Sequence, residues 1–293
     1  MTPIAGSERA SDDRVLAPPG RRLCEVTENL ATGGYRIFSV LDEAGPQPRA
    51  GQFYMLAAAD GWGQRTGRPY LPRAFAVAEA HAEEDGVRVD FLADDVGPGT
   101  ERLATLRDGE GLWVTGPLGR PFSHPRELGA DIAGAILVGG GIGLATLAIL
   151  RRELADRGVP VRTLLGFRDR KHSGGVEELF GCCEVRLASE DGHVGHHGYV
   201  TELLAMLLEG DSARSAAVYA CGPPLMLEAV RALCVERDVG CELAMEAPMA
   251  CGFGACFGCA VPLAAGGYMR LCTDGPVVNA IEIETALVPG SGH

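Results

Sequence analysis

The residues most specific for chemistry are four cysteines near the C-terminus. Cys251, Cys256 and Cys259 lie in one short, glycine-rich stretch, and Cys272 follows after twelve further residues. This C-x4-C-x2-C…C spacing is that of plant-type [2Fe-2S] sites, in which two irons share four thiolates. A short loop must then curl round the cluster while a distant cysteine closes its far side, and glycine permits the necessary backbone angles. The spacing therefore predicts an iron–sulfur cluster.

A zinc site is the alternative interpretation of these cysteines. Structural zinc sites usually show two C-x2-C pairs, whereas this segment has one such pair and a glycine-rich x4 arm. The spacing thus favours the cluster. We expect five other cysteines to be core or surface thiols: Cys24, Cys182, Cys183, Cys234 and Cys241.

Two turns have the composition of a dinucleotide site, although each could also be a simple packing turn. The first separates an apolar strand from a helix and consists of Gly139, Gly140, Gly141, Ile142 and Gly143. Its glycines allow close approach of a pyrophosphate, and the helix N-terminus supplies amides and a favourable dipole. The second turn ends a later strand and consists of Cys221, Gly222 and Pro223. Both lie where open α/β sheets bind ligands, which predicts an NAD(H) site.

An arginine in an otherwise apolar strand is a candidate for binding FAD. The guanidinium of Arg73 can hold a pyrophosphate bidentately. Gly99 and Thr100 then form a turn into a helix, for which Thr100 is the expected N-cap, and the amides there offer a second anion site. Each of these features, taken alone, could instead be ordinary barrel architecture.

Three structural units are expected to position these residues, after a loose tail at residues 1–20. Residues 21–128 show short strands of period two between Gly and Pro turns, which predicts an antiparallel barrel. Strands alternate with helices in residues 129–240, which predicts a parallel sheet. Residues 241–293 form a small cysteine-rich segment. The predicted fold class is α/β with an N-terminal antiparallel FAD-binding β-barrel, a parallel-sheet nucleotide-binding domain and a C-terminal [2Fe-2S] segment.

The charge of the chain excludes some partners. The formal net charge is −13 and the pI is near 5.0, whereas nucleic acids and anionic membranes require a basic surface. The polar N-terminus lacks the apolar stretch of a secretory signal, and glycines interrupt the longest apolar run, at residues 130–150. We therefore expect a soluble cytoplasmic protein with neither a nucleic-acid nor a membrane partner.

In its order of motifs the chain resembles the ferredoxin reductase superfamily, and specifically the family of electron-transfer subunits of type B dihydroorotate dehydrogenase. The resemblance covers roughly residues 22–282 and is most specific in MACGFGACFGC and LCTDGPVVNA. It implies that the four iron ligands are Cys251, Cys256, Cys259 and Cys272. It also implies that NAD(H) binds at the GGGIG and CGP turns.

The resemblance extends to the flavin motif. The family's Arg-Pro-apolar-Ser pattern is matched by Arg73, Ala74, Phe75 and Ala76, which implies that Arg73 is a pyrophosphate ligand. Two positions depart from it: Ala74 replaces the proline and Ala76 replaces the serine, whose missing hydroxyl removes one hydrogen bond worth about 0.5–1.5 kcal/mol. A following strand and Gly-Thr pair of the family are matched by Leu92, Ala93, Asp94, Gly99 and Thr100. At Asp94 the family often has arginine.

Electron counting orders the cofactors. NADH delivers two electrons as a hydride, whereas a [2Fe-2S] cluster accepts one, so FAD is expected between them. The predicted route runs from NAD(H) through FAD and the cluster to a partner, and it is reversible. The resemblance implies that this partner is an FMN-containing catalytic subunit that oxidises dihydroorotate in pyrimidine biosynthesis. It further implies a heterotetramer of two such subunits with two of this chain.

Two alternatives to this function stay open. The same cofactors could serve a different oxidoreductase, such as a hydrogenase or a sulfide-handling complex. The chain could also be a zinc-stapled nucleotide-binding protein without redox activity, in which the cysteines hold zinc. The choice between NAD and NADP is open as well, because Gly166, Phe167 and Arg168 could place an arginine near the adenosine ribose.

Overall fold

The computed structural model describes residues 20–63, 69–173, 180, 185–210 and 215–291. The predicted tail lies outside these residues except for Gly20, and Cys182 and Cys183 lie outside them as well. None of the helices in the described part of the chain has the length and apolar content of a membrane span.

The N-terminal part of the chain is a closed antiparallel barrel. Its elements in chain order are β1 (Arg22–Thr32), β2 (Tyr35–Asp42), β3 (Phe53–Ala58), β4 (Arg73–Glu83), β5 (Gly86–Ala93), helix α1 (Pro98–Ala104) and β6 (Gly111–Leu118). The strands pair in the order β1-β2-β5-β4-β3-β6, and the first and last close the barrel. These are the strands that the period-two pattern predicts, and the expected barrel is confirmed.

Aromatic rings fill the barrel interior. Phe38, Phe75, Phe91 and Tyr54 contact one another with ring centres 5.5–6.4 Å apart. Each such pair adds about 0.5–1.5 kcal/mol beyond the area that it buries. Because side chains alternate along a strand, the inward direction of Phe75 in β4 leaves Ala74 and Ala76 exposed on the outer face of the barrel.

The second part of the chain alternates strands and helices. Its elements are α2 (Pro125–Leu128), β7 (Gly134–Gly140), a 3-10 turn (Gly141–Gly143), α3 (Leu144–Asp156), β8 (Val161–Phe167), α4 (Arg170–Ser173), β9 (Val185–Ser189), β10 (His196–His197), α5 (Val200–Leu208), β11 (Ala216–Cys221), α6 (Pro224–Glu236) and β12 (Cys241–Ala244). These strands pair in parallel in the order β10-β9-β8-β7-β11-β12. The predicted parallel sheet is therefore confirmed.

The C-terminal segment is attached to both of the larger units. It contains β13 (Ala260–Pro262), β14 (Tyr268–Arg270), α7 (Leu271–Asp274) and β15 (Val277–Asn279). Strands β13 and β14 form a hairpin, whereas β15 pairs antiparallel with β12 as the seventh strand of the large sheet. Next to β15, Pro276 bridges to Arg120, just beyond the end of β6. The cysteine segment is thus held between the barrel and the sheet.

Helix α3 joins the sheet to the barrel, against which it packs at β4. The buried Thr146 hydroxyl accepts a hydrogen bond from the Gly51 amide at 2.8 Å, and a Glu153 carboxylate accepts one from the Ala50 amide at 3.0 Å. Arg152 also contacts Glu79 of β4 at 2.7 Å. Since α3 begins directly after the glycine turn, these contacts fix that turn relative to the outer face of the barrel.

Candidate functional site

The four cysteines form two pairs. The Sγ atoms of Cys259 and Cys272 lie 3.2 Å apart in the interior. Cys256 is exposed and lies within hydrogen-bonding reach of the thiol of Cys251, which is half-buried. A cluster of two irons needs two thiolates on each iron. The pairing of the thiols therefore fits a [2Fe-2S] cluster.

Backbone amides are directed at the sulfur atoms. Burial disfavours the thiolate of Cys251, but amides of Phe253, Ala255 and Cys256 outweigh this cost and lower its pKa to about 6. Glycines at 252 and 254 have φ of +77° and +84°, values that favour glycine and let the loop fold back in this way. The chain thus stabilises the thiolate form, which is the form that binds a metal.

The other pair is more enclosed. Burial, together with the neighbouring Cys259 thiol, raises the pKa of Cys272 to about 12, while the Gly254 amide acts in the opposite direction. Closely spaced thiols in an apolar interior are poorly stabilised as thiolates unless a cation is present. This donor set therefore fits a positively charged metal centre rather than two idle thiols.

The arrangement is less suited to a single zinc ion. Among the described residues, the one trio of possible ligand atoms within 4.8 Å of one another is Glu79, His81 and Asp90, on the barrel. The cysteines thus form no such compact trio, whereas tetrahedral zinc requires four ligands round one point. Two separated pairs are the arrangement expected for two irons.

A cavity of about 960 Å³ extends from the barrel to the cysteine loop. Its lining includes Met55 and Trp113, from β3 and β6, together with Cys251 and Cys272 of the cysteine segment. Trp62, from the loop after β3, lines the same space. Small-molecule sites typically measure about 300–1,000 Å³, so the cavity has room for a flavin ring beside the cysteines.

Arg73 and Gly99 are brought together at the outer face of the barrel. A Cβ added to Gly99 would lie 2.6 Å from Arg73 Nε, so the guanidinium occupies the space that a side chain would take. The same guanidinium lies 5.8 Å from the centre of the Trp62 ring, and its Nη1 donates to Leu71 O at 2.7 Å. A cation beside the first turn of a helix is a suitable cradle for a pyrophosphate, and the residues fit FAD.

The other residues predicted to bind flavin lie mostly in the barrel wall. The Phe75 side chain lies inside the barrel, and Leu92 and Ala93 are buried, at 2% and 1% exposed, so none of the three presents a side chain on the outer face. Asp94 is half-buried next to them, in the first position after β5.

The prediction that Thr100 is an N-cap is wrong. Gly97 occupies the N-cap position of α1, and Thr100 is the third helical residue. Its Oγ1 instead accepts hydrogen bonds from the Val96 and Gly97 amides, both at 3.0 Å. The hydroxyl therefore closes the turn from inside the helix, and Pro98 at the first helical position accounts for the displaced boundary.

The two nucleotide turns are in direct contact. A Cβ on Gly143 would lie 2.5 Å from the carbonyl carbon of Cys221, and one on Gly222 would lie 3.0 Å from Gly140 O. The glycines therefore let two neighbouring parallel strands, β7 and β11, end in one continuous backbone surface. Helix α3 begins there without a side-chain cap, so the positive end of its dipole lies at this surface. This surface fits the pyrophosphate of a dinucleotide.

The Cys221 thiol is buried beneath this surface. Its burial, with a smaller contribution from the charge of Glu246, raises its pKa. The thiol is therefore neutral, and its place next to Gly222 makes it part of an apolar wall rather than a metal ligand.

The end of the adjacent strand, β8, carries Arg168 and Asp169. Arg168 Nε lies 3.5 Å from an Asp169 carboxylate oxygen, and His172 lies 2.6 Å from the other oxygen. The hydrogen bond with His172 lowers the pKa of Asp169 to about 2. A carboxylate that is charged at neutral pH thus lies at the sheet edge where the arginine is expected to meet a ribose.

Two residues near these sites were not anticipated from the sequence. Trp62 lines the cavity and covers Arg73, and Arg270 contacts the cysteine loop. Trp62 lies in a loop without periodicity, so no pattern identifies it. A cation two residues before Cys272 is the one signal that could have identified Arg270.

Known proteins resemble this chain in sequence. The model of the iron–sulfur cluster binding domain of dihydroorotate dehydrogenase B matches residues 246–284. The dihydroorotate dehydrogenase B (NAD(+)) electron transfer subunit of Geobacillus kaustophilus is 39% identical, over 92% of this chain and 98% of its own length. The corresponding Clostridium perfringens subunit is 34% identical, over 85% of this chain and 92% of its own.

Solved structures share the fold. A NADH-dependent reduced ferredoxin-NADP oxidoreductase superposes with a TM-score of 0.77 at 24% identity, covering 92% of each chain. A ferredoxin NADP+ reductase from Neisseria gonorrhoeae, with bound FAD and NADP, gives 0.59 at 16% identity, over 74% of this chain and 91% of its own. The fold is therefore that of the ferredoxin reductases, and the chain belongs to the family of dihydroorotate dehydrogenase B electron transfer subunits.

Proposed function

We propose that this chain conducts electrons between NAD(H) and a catalytic partner subunit, through FAD on the barrel and a [2Fe-2S] cluster in the C-terminal segment. The observation that carries the proposal is the cavity that is lined by β3, β6 and Trp62 of the barrel and by Cys251 and Cys272 of the cysteine segment. When bound there, a flavin exchanges a hydride's two electrons with nicotinamide and single electrons with an iron–sulfur cluster.

Each cofactor has its own residues in this proposal. Arg73 and the backbone at Ala74–Ala76, Leu92–Asp94 and Gly99–Thr100 hold FAD. The glycines at 139, 140, 141 and 143, with the turn Cys221–Pro223, hold the dinucleotide. Cys251 and Cys256 bind one iron, and Cys259 and Cys272 bind the other. The proposed units are residues 21–128, 129–240 and 241–293, after a tail at 1–20.

We assign NAD(H) rather than NADP(H) as the preferred dinucleotide. An acidic residue at this edge of a nucleotide-binding sheet accepts hydrogen bonds from the ribose 2′-hydroxyl, whereas a 2′-phosphate requires an arginine. Arg168 lies 3.5 Å from Asp169, whose carboxylate stays charged at neutral pH because its pKa is about 2. The carboxylate would repel the phosphate of NADP(H).

The partner is proposed from the names of the relatives. Relatives of this chain are electron transfer subunits of dihydroorotate dehydrogenase B, so we propose a dihydroorotate-oxidising, FMN-containing catalytic subunit, in a complex of two plus two subunits in the cytoplasm. The exposed Cys256 is followed by Phe257, which is 63% exposed, whereas Phe253 lines the cavity proposed for the flavin. We propose that this exposed part of the loop contacts the partner. Electrons would leave the chain on this side.

An anaerobic visible spectrum before and after addition of NADH tests the route. We expect flavin absorption at roughly 450 nm with broad cluster bands, all bleached by NADH. A colourless protein that contains zinc would refute the redox function. A coloured protein that NADH does not bleach would still contain the cofactors but would refute the reaction with nicotinamide.

Replacing Arg73 with alanine should weaken FAD binding about 10- to 100-fold, because charge-assisted hydrogen bonds contribute about 1.5–3 kcal/mol. Lysine at the same position should recover only part of this affinity, since it cannot bind bidentately. The measurement is equilibrium release of FAD, followed by its fluorescence. Equal affinity in all three proteins would exclude Arg73 as a pyrophosphate ligand.

Ala76→Ser should strengthen FAD binding about two- to tenfold, because it adds one hydrogen bond worth about 0.5–1.5 kcal/mol. Ala76 is exposed on the outer face of β4, so the hydroxyl costs no core packing. Ala82→Ser, at another exposed position of the same strand, is the matched control and should change nothing. The same FAD titration distinguishes the two variants.

A further inference from the structure

Arg270 contacts the cysteine loop from the segment that carries the last cysteine. Its Nη1 donates to Gly254 O at 3.0 Å, between the first two cysteines of the loop. The amide of Gly254 in turn acts on the Cys272 thiol. The backbone next to Arg270 is also tied to the loop, because the Leu271 amide donates to Cys259 O at 3.0 Å. One side chain therefore connects both ends of the proposed cluster site.

The same guanidinium stabilises an unfavourable backbone conformation. Phe257, between the second and third cysteines, has a φ of +59°, a value that residues with side chains rarely adopt. Such conformations persist where surrounding contacts hold them. The guanidinium carbon of Arg270 lies 5.2 Å from the centre of the Phe257 ring, within the range of a cation–π contact. Arg270 therefore fixes the part of the loop that separates Cys256 from Cys259.

Arg270 also brings a positive charge to the loop. Its side chain is only 37% exposed, and the nearest carboxylate, on Asp274, lies 3.7 Å from Nε. The charge is thus only partly compensated at the side that faces Gly254. Reduction adds an electron to a cluster, and a nearby cation favours the form with more negative charge.

We propose that Arg270 is a positioning residue for electron transfer, which clamps the 251–259 loop onto the Cys272 segment and raises the reduction potential of the cluster. The proposal rests on the function proposed above, since it requires a cluster at these cysteines. Its two parts can be tested separately: the Arg270 side chain holds the loop in place, and its positive charge raises the reduction potential of the cluster.

The test compares Arg270→Gln, Arg270→Lys and wild type in the full chain. Glutamine removes both the charge and the planar guanidinium. Lysine keeps the charge but can neither stack on the Phe257 ring nor reproduce the hydrogen-bond geometry of the guanidinium. Arg237→Gln is the matched control, because Arg237 is an arginine 3.9 Å from a carboxylate at the end of α6. The readouts are a potentiometric titration followed by electron paramagnetic resonance and the rate of iron release to a chelator, neither of which requires the partner or turnover.

At the midpoint potential of the wild-type cluster, we expect the ratio of reduced to oxidised cluster to be about three- to tenfold lower in Arg270→Gln, because one partly exposed charge is lost. Iron release should be several-fold faster. Arg270→Lys should keep the ratio within about twofold, since the charge remains, but should release iron faster. The Arg237→Gln control should match wild type in both measurements.

Several results would overturn the inference. If Arg270→Gln equals wild type in both measurements, Arg270 neither holds the loop nor sets the potential. If lysine lowers the potential as much as glutamine, the charge claim is wrong. Circular dichroism and FAD content show whether Arg270→Gln folds. If it does not, the rate of iron release from Arg270→Lys tests whether Arg270 holds the loop, and the reduction potential of Arg270→Lys tests the role of the charge. A wild-type protein without a cluster would instead refute the proposed function.

Discussion

Replacing Cys256 with alanine should abolish electron delivery to the partner while leaving the reaction of NADH with flavin almost intact. Cys256 is the exposed member of the four cysteines, so its loss removes a ligand without opening a cavity in the core. Loss of a group that only hydrogen-bonds to a metal ligand already weakens metal binding or activity about 10- to 100-fold. We therefore expect the rate of electron transfer to the partner to fall about 100-fold or more, because a direct ligand contributes at least as much as such a neighbouring group.

Two assays separate the effect. Reduction of an artificial two-electron acceptor by NADH should change less than about twofold, because no ligand of flavin or nicotinamide is altered. Cys24→Ala is the control, since it removes a buried thiol of the barrel and should keep the cluster spectrum. If Cys256→Ala retained a full cluster and partner coupling, the ligand assignment would have to be abandoned.

Gly143→Ala should block the reaction with NADH. The φ of Gly143 is −63°, which any residue can adopt, so glycine is needed there for space and not for backbone freedom. An alanine Cβ would lie 2.5 Å from the carbonyl carbon of Cys221 and 2.6 Å from the Gly222 nitrogen. Backbone atoms at that distance cannot turn aside, so the two turns must separate. We expect at least a tenfold loss in kcat/KM for NADH and about 1–3 kcal/mol of stability.

Stopped-flow bleaching of the flavin at increasing NADH concentration measures the loss. Gly134→Ala, in the same strand, is the matched control, because the nearest atom to its new Cβ would be at an ordinary 3.5 Å. Both variants should keep the absorption of FAD and of the cluster. Unchanged NADH kinetics in Gly143→Ala would show that the contact between the turns does not form the dinucleotide site.

The parts of the fold that repeat a pattern could be predicted from the sequence. Alternation along β4, with Phe75 and Val77 inside and Ala74 and Ala76 outside, appears directly in the residues. The strand, glycine turn and helix at 134–156 follow from an apolar run, four glycines and a second apolar run. The cysteine spacing is itself a local geometric constraint. Such features depend on neighbours in the chain.

Features that depend on distant residues could not be predicted in this way. Strand β15 has three residues and is a strand only because β12 lies beside it. Trp62 and Arg73 meet across a loop, and Arg270 meets Phe257 across a hairpin. Thr100 was placed wrongly because its hydroxyl can close the turn from the third helical position as well as from the N-cap. Tertiary contacts decide all of these.

The attachment of the C-terminal segment determines whether the cysteine loop can move during electron transfer. In this chain β15 is hydrogen-bonded to the large sheet, and Pro276 bridges to Arg120 beyond the barrel. The cysteine loop therefore cannot travel between donor and acceptor as a tethered shuttle would. Residues 246–284, although matched as one domain, do not form a portable module, because a strand at their end depends on a sheet that the segment does not contain. The proposed cluster site therefore keeps one position relative to the barrel and the large sheet.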